Sequence, residues 1–590
     1  MPETHFDAVI VGSGFGGSVM ACRLAEAGLR VCLLERGKAY PPGSFARSPY
    51  AFARNWWDPS RGLYGLFQAW SFTYTEAIVS SGLGGGSLIY ANVLIRKDEN
   101  WFREQEADGS SRDWPVTRRE LDPHYDRVEK MMNGQRYPFD QAPYNRTSKT
   151  IAFRDAAEVV KNQGEKLDWY LPLLAVSFAS RDLVGNLMPA IPGDQVVNEP
   201  QNLHKAERFT CRLCGECDAG CNYGSKNTLD YTYLSAAWRA GADIRTLCEV
   251  KSFRPNPNGK GYAIDYLAHD AEKYRGQPHD TRALPLETIT ADRLILSAGT
   301  LGSTYLLLKN REHFPRISKT LGERFSTNGD LLSFAFRAKD RSAQTPIPRV
   351  IDPSHGPVIT STIRVDDQLD GKDAQGRGFY LQDAGYPEFF NWIIEAVNGP
   401  GFAMRAIKFL YRRVKQWVTG DPRSELSASM SDLLGGCENS SGSMPLLGMG
   451  RDIPDGKMTI RKNRNGDAFL ELDWRNIRSA PYFSRVTEVS RKIAEAMGAT
   501  FVQNPITKLL NRVVTVHALG GCSMGRNAEE GVVDNRGRVF NYPGLYVADG
   551  SVMPGPVGTN PSLTIAALSD MFADEIIDDF AKTRDRAVAS

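Results

Sequence analysis

The chain has 590 residues, which at about 150 residues per unit allows at most about four domains and suggests two or three. Hydrophobic residues make up 42% and charged residues 24%, values that exclude a disordered, collagenous or multispanning chain. Lys and Arg (71) nearly balance Asp and Glu (69), so the surface as a whole is not a nucleic-acid footprint and no nucleic-acid partner is expected. No window offers about 18 uninterrupted apolar residues, so no transmembrane helix is expected. Met1 to Asp7 lead straight into an apolar strand without a basic segment or cleavage site, which points to a cytoplasmic protein.

The first thirty-odd residues carry the strongest motif. Ala8-Val9-Ile10-Val11 reads as a buried parallel strand, followed by Gly12-Ser13-Gly14-Phe15-Gly16-Gly17 and a helical pattern from Ser18 to Ala27. Arg30 to Leu34 is a second strand, closed by Glu35. Gly12 permits the tight turn, Gly14 lets the backbone approach a pyrophosphate, and Gly17 lets helix and strand pack closely. The helix start offers free N–H groups to the phosphates, and Glu35 stands where an adenosine ribose would donate to it. This is a dinucleotide-binding unit, and by itself it does not separate NAD from FAD.

Three further segments do. Ser80 to Val93 contains a second glycine cluster, Gly82-Leu83-Gly84-Gly85-Gly86, which allows very close backbone approach. Leu294 to Ser303 is another strand–turn–helix unit. Gly544 to Ser551 is followed by Gly558-Thr559-Asn560-Pro561-Ser562, where Asn560 suits a helix cap and Pro561 the first helical position. With His517-Ala518-Leu519-Gly520-Gly521-Cys522, this ordered set resembles the glucose–methanol–choline (GMC) oxidoreductases, and among them the bacterial cholesterol-oxidase-like branch. The resemblance implies an α/β fold in which a discontinuous Rossmann-like FAD-binding domain adjoins a substrate domain built on an antiparallel β-sheet covered by helices. It implies FAD, held noncovalently because no His lies in Gly84–Val93. The positions matching flavin contacts are Gly12, Gly14, Phe15, Gly17, Glu35, Gly86, Ala91, Val93, Val250, Asp549, Gly550 and Ser562. Tyr90 stands where the cholesterol oxidases have an Asn beside the flavin.

The nucleotide-binding pieces are expected at 1–105, 205–330 and 505–590, and the substrate domain at 106–204 and 331–504, richer in Pro, aromatics and mixed-period strands such as Phe379-Tyr380-Leu381. The Gly- and Ser-dense stretch from Leu434 to Gly450 reads as a loop at the mouth of the site. Among only eight histidines, His517 sits beside a Gly-Gly turn. Removing hydride from a CH–OH carbon requires the hydroxyl proton to leave too, and a neutral imidazole can accept it. The family context assigns that role to His517, with Asn560 donating to the substrate oxygen. Cholesterol oxidases also isomerise a double bond with a Glu base. Glu438 is the nearest candidate here, but Ser441 falls at the matching position.

Cys211, Cys214, Cys217 and Cys221 have C-x2-C-x2-C-x3-C spacing, that of a bacterial ferredoxin run without its terminal Pro. An iron–sulfur cluster, a zinc site, and free or paired structural thiols all stay open. Residues 400–418 form an aromatic-rich pattern with Arg405, Lys408, Arg412 and Lys415 on the opposite arc, consistent with peripheral membrane contact or with an ordinary core-facing helix. The expected activity is FAD-dependent oxidation of a sterol or similarly bulky apolar alcohol, with O₂ or an electron carrier as oxidant. The alternatives are a GMC enzyme acting on long-chain or aromatic primary alcohols, and a non-redox flavoprotein such as a lyase, photoenzyme or sensor.

Overall fold

A computed structural model describes residues 4–106, 110–257, 259–340, 347–367, 377–388, 438–464, 466–504 and 512–589, together with residues 391, 404, 407, 410, 411 and 507. Its first strand, His5–Val11, is the axis of a seven-stranded sheet and lies parallel to Val31–Leu34 on one side and to Leu286–Leu296 on the other. Asp243–Arg245 extends the parallel run beyond Val31–Leu34, while Tyr262–Ala268 and Cys248–Pro255 add antiparallel strands at the opposite edge. Leu545–Val547, contributed from near the C-terminus, pairs in parallel with the end of Leu286–Leu296. Val9, Ile10, Leu33 and Leu294 are fully buried, as expected for strands covered on both faces.

Helix Phe15–Glu26 packs against the C-terminal helix Ser562–Ala589 and against Tyr233–Arg239. Its first turn has no side-chain cap: Gly14, in an extended conformation, occupies the cap position and leaves the leading amides free. Gly16 is fixed by packing. A Cβ there would lie 1.5 Å from the Ala548 carbonyl oxygen, so only glycine lets the helix sit on the 547–549 segment. Helix Arg118–Met131 begins with a reciprocal Thr117–Glu120 capping box and packs on Ser562–Ala589.

The second large sheet has six antiparallel strands in the order Leu167–Tyr170, Thr362–Val365, Phe379–Asp383, Met444–Gly450, Leu331–Phe336, Thr500–Gln503. Helices Ser148–Asn162 and Ala480–Ala496 cover one face with Phe153, Val160, Val486 and Ile493, against which Phe379 and Leu381 point. The alternate residue Tyr380 points the other way, into a cluster with Val93, Trp101 and Met449.

Met444–Gly450 corrects the expected loop. The glycines there are strand residues: a Cβ at Gly448 would lie 2.6 Å from Val486 Cγ1, and one at Gly450 would lie 2.7 Å from Phe379 Cβ. They let neighbouring side chains close onto the strand, which a count of Gly and Ser reads as flexibility. Residues 400–418 lie outside the described residues apart from Met404, Ile407, Leu410 and Tyr411, which are helical and exposed. Among the described residues no helix is long and apolar enough to cross a membrane.

Candidate active site

The nucleotide-binding end is assembled from three glycine-bearing turns. Gly12 has a φ of +98°, and a Cβ on it would meet the Ser297 carbonyl oxygen at 2.4 Å; a Cβ on Gly17 would meet the Gly12 oxygen at 2.0 Å. Gly85 packs on Gly14, where its Cβ would lie 2.6 Å from the Gly14 Cα. Gly14 and Gly86 themselves face open space, with nothing within 4 Å of where a Cβ would be. Ser13 ties the three parts together. Its hydroxyl donates to Glu35 Oε2 at 2.6 Å and accepts from the Gly84 amide at 2.9 Å, while its own amide donates to Glu35 at 3.0 Å. Gly37 N–H donates to the other oxygen of Glu35 at 2.8 Å. Phe15 meets Tyr90 edge-on at 5.4 Å, joining the first and second clusters through side chains as well.

Val93 and Val250 are buried and Ala91 is half-buried. Asp549 accepts from the Ser551 amide (2.8 Å), the Ser551 hydroxyl (2.6 Å) and the Ser303 hydroxyl (2.5 Å), and burial raises its carboxyl above the usual range. The Gly550 carbonyl accepts from the Gly520 amide at 3.0 Å, which links this segment to the one bearing His517. Among the buried polar atoms without a protein partner in the described residues are the Ser562 hydroxyl and both amide atoms of the fully buried Asn92. Unpaired buried polar groups are costly, and a polar cofactor edge would satisfy them. Together with the open faces of Gly14 and Gly86 and the uncapped helix start, they fit a dinucleotide bearing a polar ring system. Ser13 and Asn92 escaped sequence reading. Ser13 occupies a variable position of the glycine motif, and Asn92 lay between two apolar flavin-contact positions; its left-handed φ of +69° was its only sequence-invisible mark.

A second group of polar residues, among them His517 and Asn560, is organised by the loop Ser326–Asp330. Asp330 Oδ1 lies 2.7 Å from His517 Nδ1, and Oδ2 accepts from the Thr515 hydroxyl (2.8 Å) and the Val516 amide (3.0 Å). Two residues earlier, Asn328 receives the Gly558 amide on its oxygen and donates to the Thr559 carbonyl, both at 2.8 Å. One short loop thereby holds both His517 and the segment leading to Asn560. Asn560 is paired with Gln382 of the six-stranded sheet: Gln382 Nε2 donates to Asn560 Oδ1 at 2.8 Å, and Asn560 Nδ2 donates back at 3.3 Å. Beneath the loop, Asp452 accepts from Ser326 Oγ at 2.5 Å and from the Thr327 amide and hydroxyl at 2.8 Å each. Lys97, fully buried, donates to the carbonyls of Pro556 (2.7 Å) and Val557 (3.3 Å) from the other side, and burial lowers its ammonium to about 8.

The four cysteines lie beside the second glycine cluster. Among the described residues only His124, Asp570 and Asp574 bring three ligand-capable atoms within 4.8 Å of one another, so Cys211, Cys214, Cys217 and Cys221 do not converge as a mononuclear zinc site would require. The cavity they line is about 20 Å³, room for a single water. All four are free thiols. The segment's backbone instead braces neighbours: the Cys211 amide donates to the Ser177 carbonyl (2.9 Å), and Lys226 Nζ bridges the carbonyls of Cys217 (2.8 Å) and Leu88 (3.1 Å). The spacing arises from a packed turn beside the second glycine cluster.

A doubly wound dinucleotide unit joined to a six-stranded sheet, with an imidazole, a carboxylate and an amide gathered by one loop, suits a dinucleotide-dependent oxidoreductase. Comparison with known proteins agrees. The GMC oxidoreductase C-terminal family matches residues 455–569, and the NAD(P)-binding Rossmann-like domain family matches residues 10–44. A cholesterol oxidase of Mycobacterium tuberculosis is 29% identical, covering 97% of this chain and 91% of that protein. A long-chain-alcohol oxidase of Arabidopsis thaliana is 23% identical over 97% of this chain and 67% of its own length. The fold is also that of pyridoxine 4-oxidase from Mesorbium loti (TM-score 0.55, 16% identity, covering 96% of this chain and 98% of that one). These likenesses support an oxidoreductase related to the GMC oxidoreductases, which are flavoproteins that use FAD.

Two glycines three residues apart or fewer should separate fold from cofactor. Gly16→Ala, whose Cβ would strike backbone, should destabilise the protein by at least 1–3 kcal/mol, roughly the cost of overpacking. Gly14→Ala meets no protein atom and should leave apoprotein melting unchanged while weakening FAD binding about tenfold or more, measured by titration of the apoprotein. Asp452 supplies a pH test. Burial outweighs its hydrogen bonds and raises its carboxyl from 3.8 to about 6, so the folded state binds that proton more tightly than the unfolded chain. Its contribution to stability is full below about pH 4 and is lost as pH rises through about 6. Relative to Asp452→Asn, the native chain should lose about 3 kcal/mol across that window in paired denaturant titrations. A difference independent of pH would count against it.

Proposed function

We propose that the chain oxidises the CH–OH group of a sterol or another bulky apolar alcohol, with FAD held noncovalently and reoxidised by O₂ or an electron carrier. The observation that carries this reading is the joint anchoring of His517 and the Asn560 segment by one loop, at the junction of the glycine cradle with the six-stranded sheet. The division expected from the sequence, 1–105, 205–330 and 505–590 against 106–204 and 331–504, is proposed with it.

When bound, FAD supplies the hydride acceptor. Gly12, Gly14 and Gly17, with the open helix start, would hold its pyrophosphate, and Glu35 its ribose. Gly86, Ala91, Val93, Val250, Asp549, Gly550 and Ser562 would line the remainder, with Phe15 beside the second cluster. His517, with Nδ1 engaged by Asp330, has Nε2 to accept the hydroxyl proton as the C–H bond breaks. Asn560 spends its oxygen and one N–H on Gln382 and keeps a second N–H to orient the substrate oxygen. The helix from Ser562 directs its positive end toward whatever negative charge develops beside it.

The cholesterol oxidases among the relatives favour a sterol, and the Arabidopsis enzyme supports long-chain alcohols as the second reading. Anaerobic mixing of the holoenzyme with cholesterol, 1-dodecanol and benzyl alcohol distinguishes them by which one bleaches the flavin absorbance fastest. His517→Ala and Asn560→Leu should each slow that bleaching roughly 10²–10⁴-fold with FAD still bound. Wild-type rates in both variants would place the chemistry elsewhere.

Peripheral lipid contact through residues 400–418 is part of the proposal. Met404, Ile407, Leu410 and Tyr411 follow three- and four-residue spacing and are 56%, 60%, 61% and 68% exposed, so they lie along one outward helical face. Co-sedimentation with phosphatidylserine vesicles should exceed that with neutral vesicles, weaken with salt, and fall when Ile407 and Leu410 become Ser. Equal pelleting with and without vesicles would remove this part.

A further inference from the structure

We infer that Asp330 is a positioning residue that sets the proton of His517 on Nδ1 and so frees Nε2 for the alcohol. This rests on the reading of His517 as the base. An ionised carboxylate only accepts hydrogen bonds, so the 2.7 Å contact from Asp330 Oδ1 requires Nδ1 to be the donor. The carboxylate is itself fixed. Only 2% of its side chain is exposed, and Oδ2 is held by the Thr515 hydroxyl at 2.8 Å and the Val516 amide at 3.0 Å. Thr515 also accepts the His517 amide at 3.0 Å, so the backbone that carries the imidazole and the acid that orients it belong to one hydrogen-bonded ring.

The donors around Asp330 make the role testable without changing shape. The Val516 amide can only donate. In Asp330→Asn the side-chain oxygen must therefore stay opposite Val516, which turns the NH₂ group toward His517. Nδ1 must then accept, the imidazole proton moves to Nε2, and the nitrogen facing the alcohol can no longer take a proton. An isosteric change thus reverses the tautomer, a loss that cavity formation or lost charge would not mimic.

Two measurements decide the matter. In ¹⁵N-histidine-labelled holoenzyme, with the His517 signals assigned by their absence in His517→Ala, Nδ1 should carry the proton and Nε2 should be bare. In Asp330→Asn the pattern should invert, and anaerobic flavin bleaching by the fastest of cholesterol, 1-dodecanol and benzyl alcohol should slow by roughly 10²-fold or more with FAD absorbance retained. Adding Asp330→Asn to His517→Ala should slow bleaching no further, because the acid acts through the imidazole. A proton on Nε2 of the native His517 would overturn the inference, and decides the case even if Asp330→Asn fails to fold. So would a wild-type rate in Asp330→Asn, or an additive loss in the double variant. Wild-type bleaching by His517→Ala is a separate outcome that removes the base and this inference together; a slow His517→Ala beside a fast Asp330→Asn removes only the inference.

Discussion

Five residues between the two sheets, Ser326 to Asp330, hold His517 and the segment leading to Asn560 to one another. Asn328 fastens the 558–559 backbone, Asp330 fastens His517, and Asp452 fastens the loop from below. Each is a bond between segments far apart in sequence, and the bonds to a charged carboxylate are of the kind that contributes about 1.5–3 kcal/mol. The loop also carries two successive left-handed residues, Asn328 and Gly329, with φ of +57° and +65°. At Gly329 a Cβ would lie 2.4 Å from the Tyr482 hydroxyl, which instead donates to the Gly329 carbonyl at 3.0 Å. The helix covering the six-stranded sheet thus reaches through to brace the loop that holds the imidazole.

What the sequence made legible followed from local rules. The strand–glycine–helix–acid unit of residues 8–35 and the strand–turn–helix at 294–303 stand in the structure as read, because a tight turn needs glycine and a doubly covered strand needs a continuous apolar run. His517 and Asn560 could be singled out individually. Their supports could not. Asp330 and Gln382 look like any polar residues at the ends of strands, and only the pairing of Leu331–Phe336 and Phe379–Asp383 into one sheet beside residues 515–517 gives them partners. Ser13 was hidden for the same reason, since its role depends on Glu35 and Gly84 arriving from elsewhere.

One misread stretch and one left open share a cause. In Met444–Gly450, glycine permits close packing from outside the strand, and in Cys211–Cys221, thiols fill space around a lysine that ties two backbone turns together. Composition and spacing record which residues are present and how far apart they are along the chain. They do not record which neighbours close on them, and both glycine and cysteine serve packing as readily as flexibility or ligation.

The split between where His517 and Asn560 are anchored has a consequence for how such an enzyme diversifies. His517 answers to Asp330, and the 558–559 backbone to Asn328, both within the loop, whereas only the Asn560 side chain answers to the six-stranded sheet, through Gln382. On the roles proposed for His517 and Asn560, a lineage can exchange residues elsewhere on that sheet, and with them the shape it offers an incoming molecule, while keeping the anchoring of His517 unaltered. Gln382 is then a position on the sheet at which drift in specificity and drift in chemistry coincide.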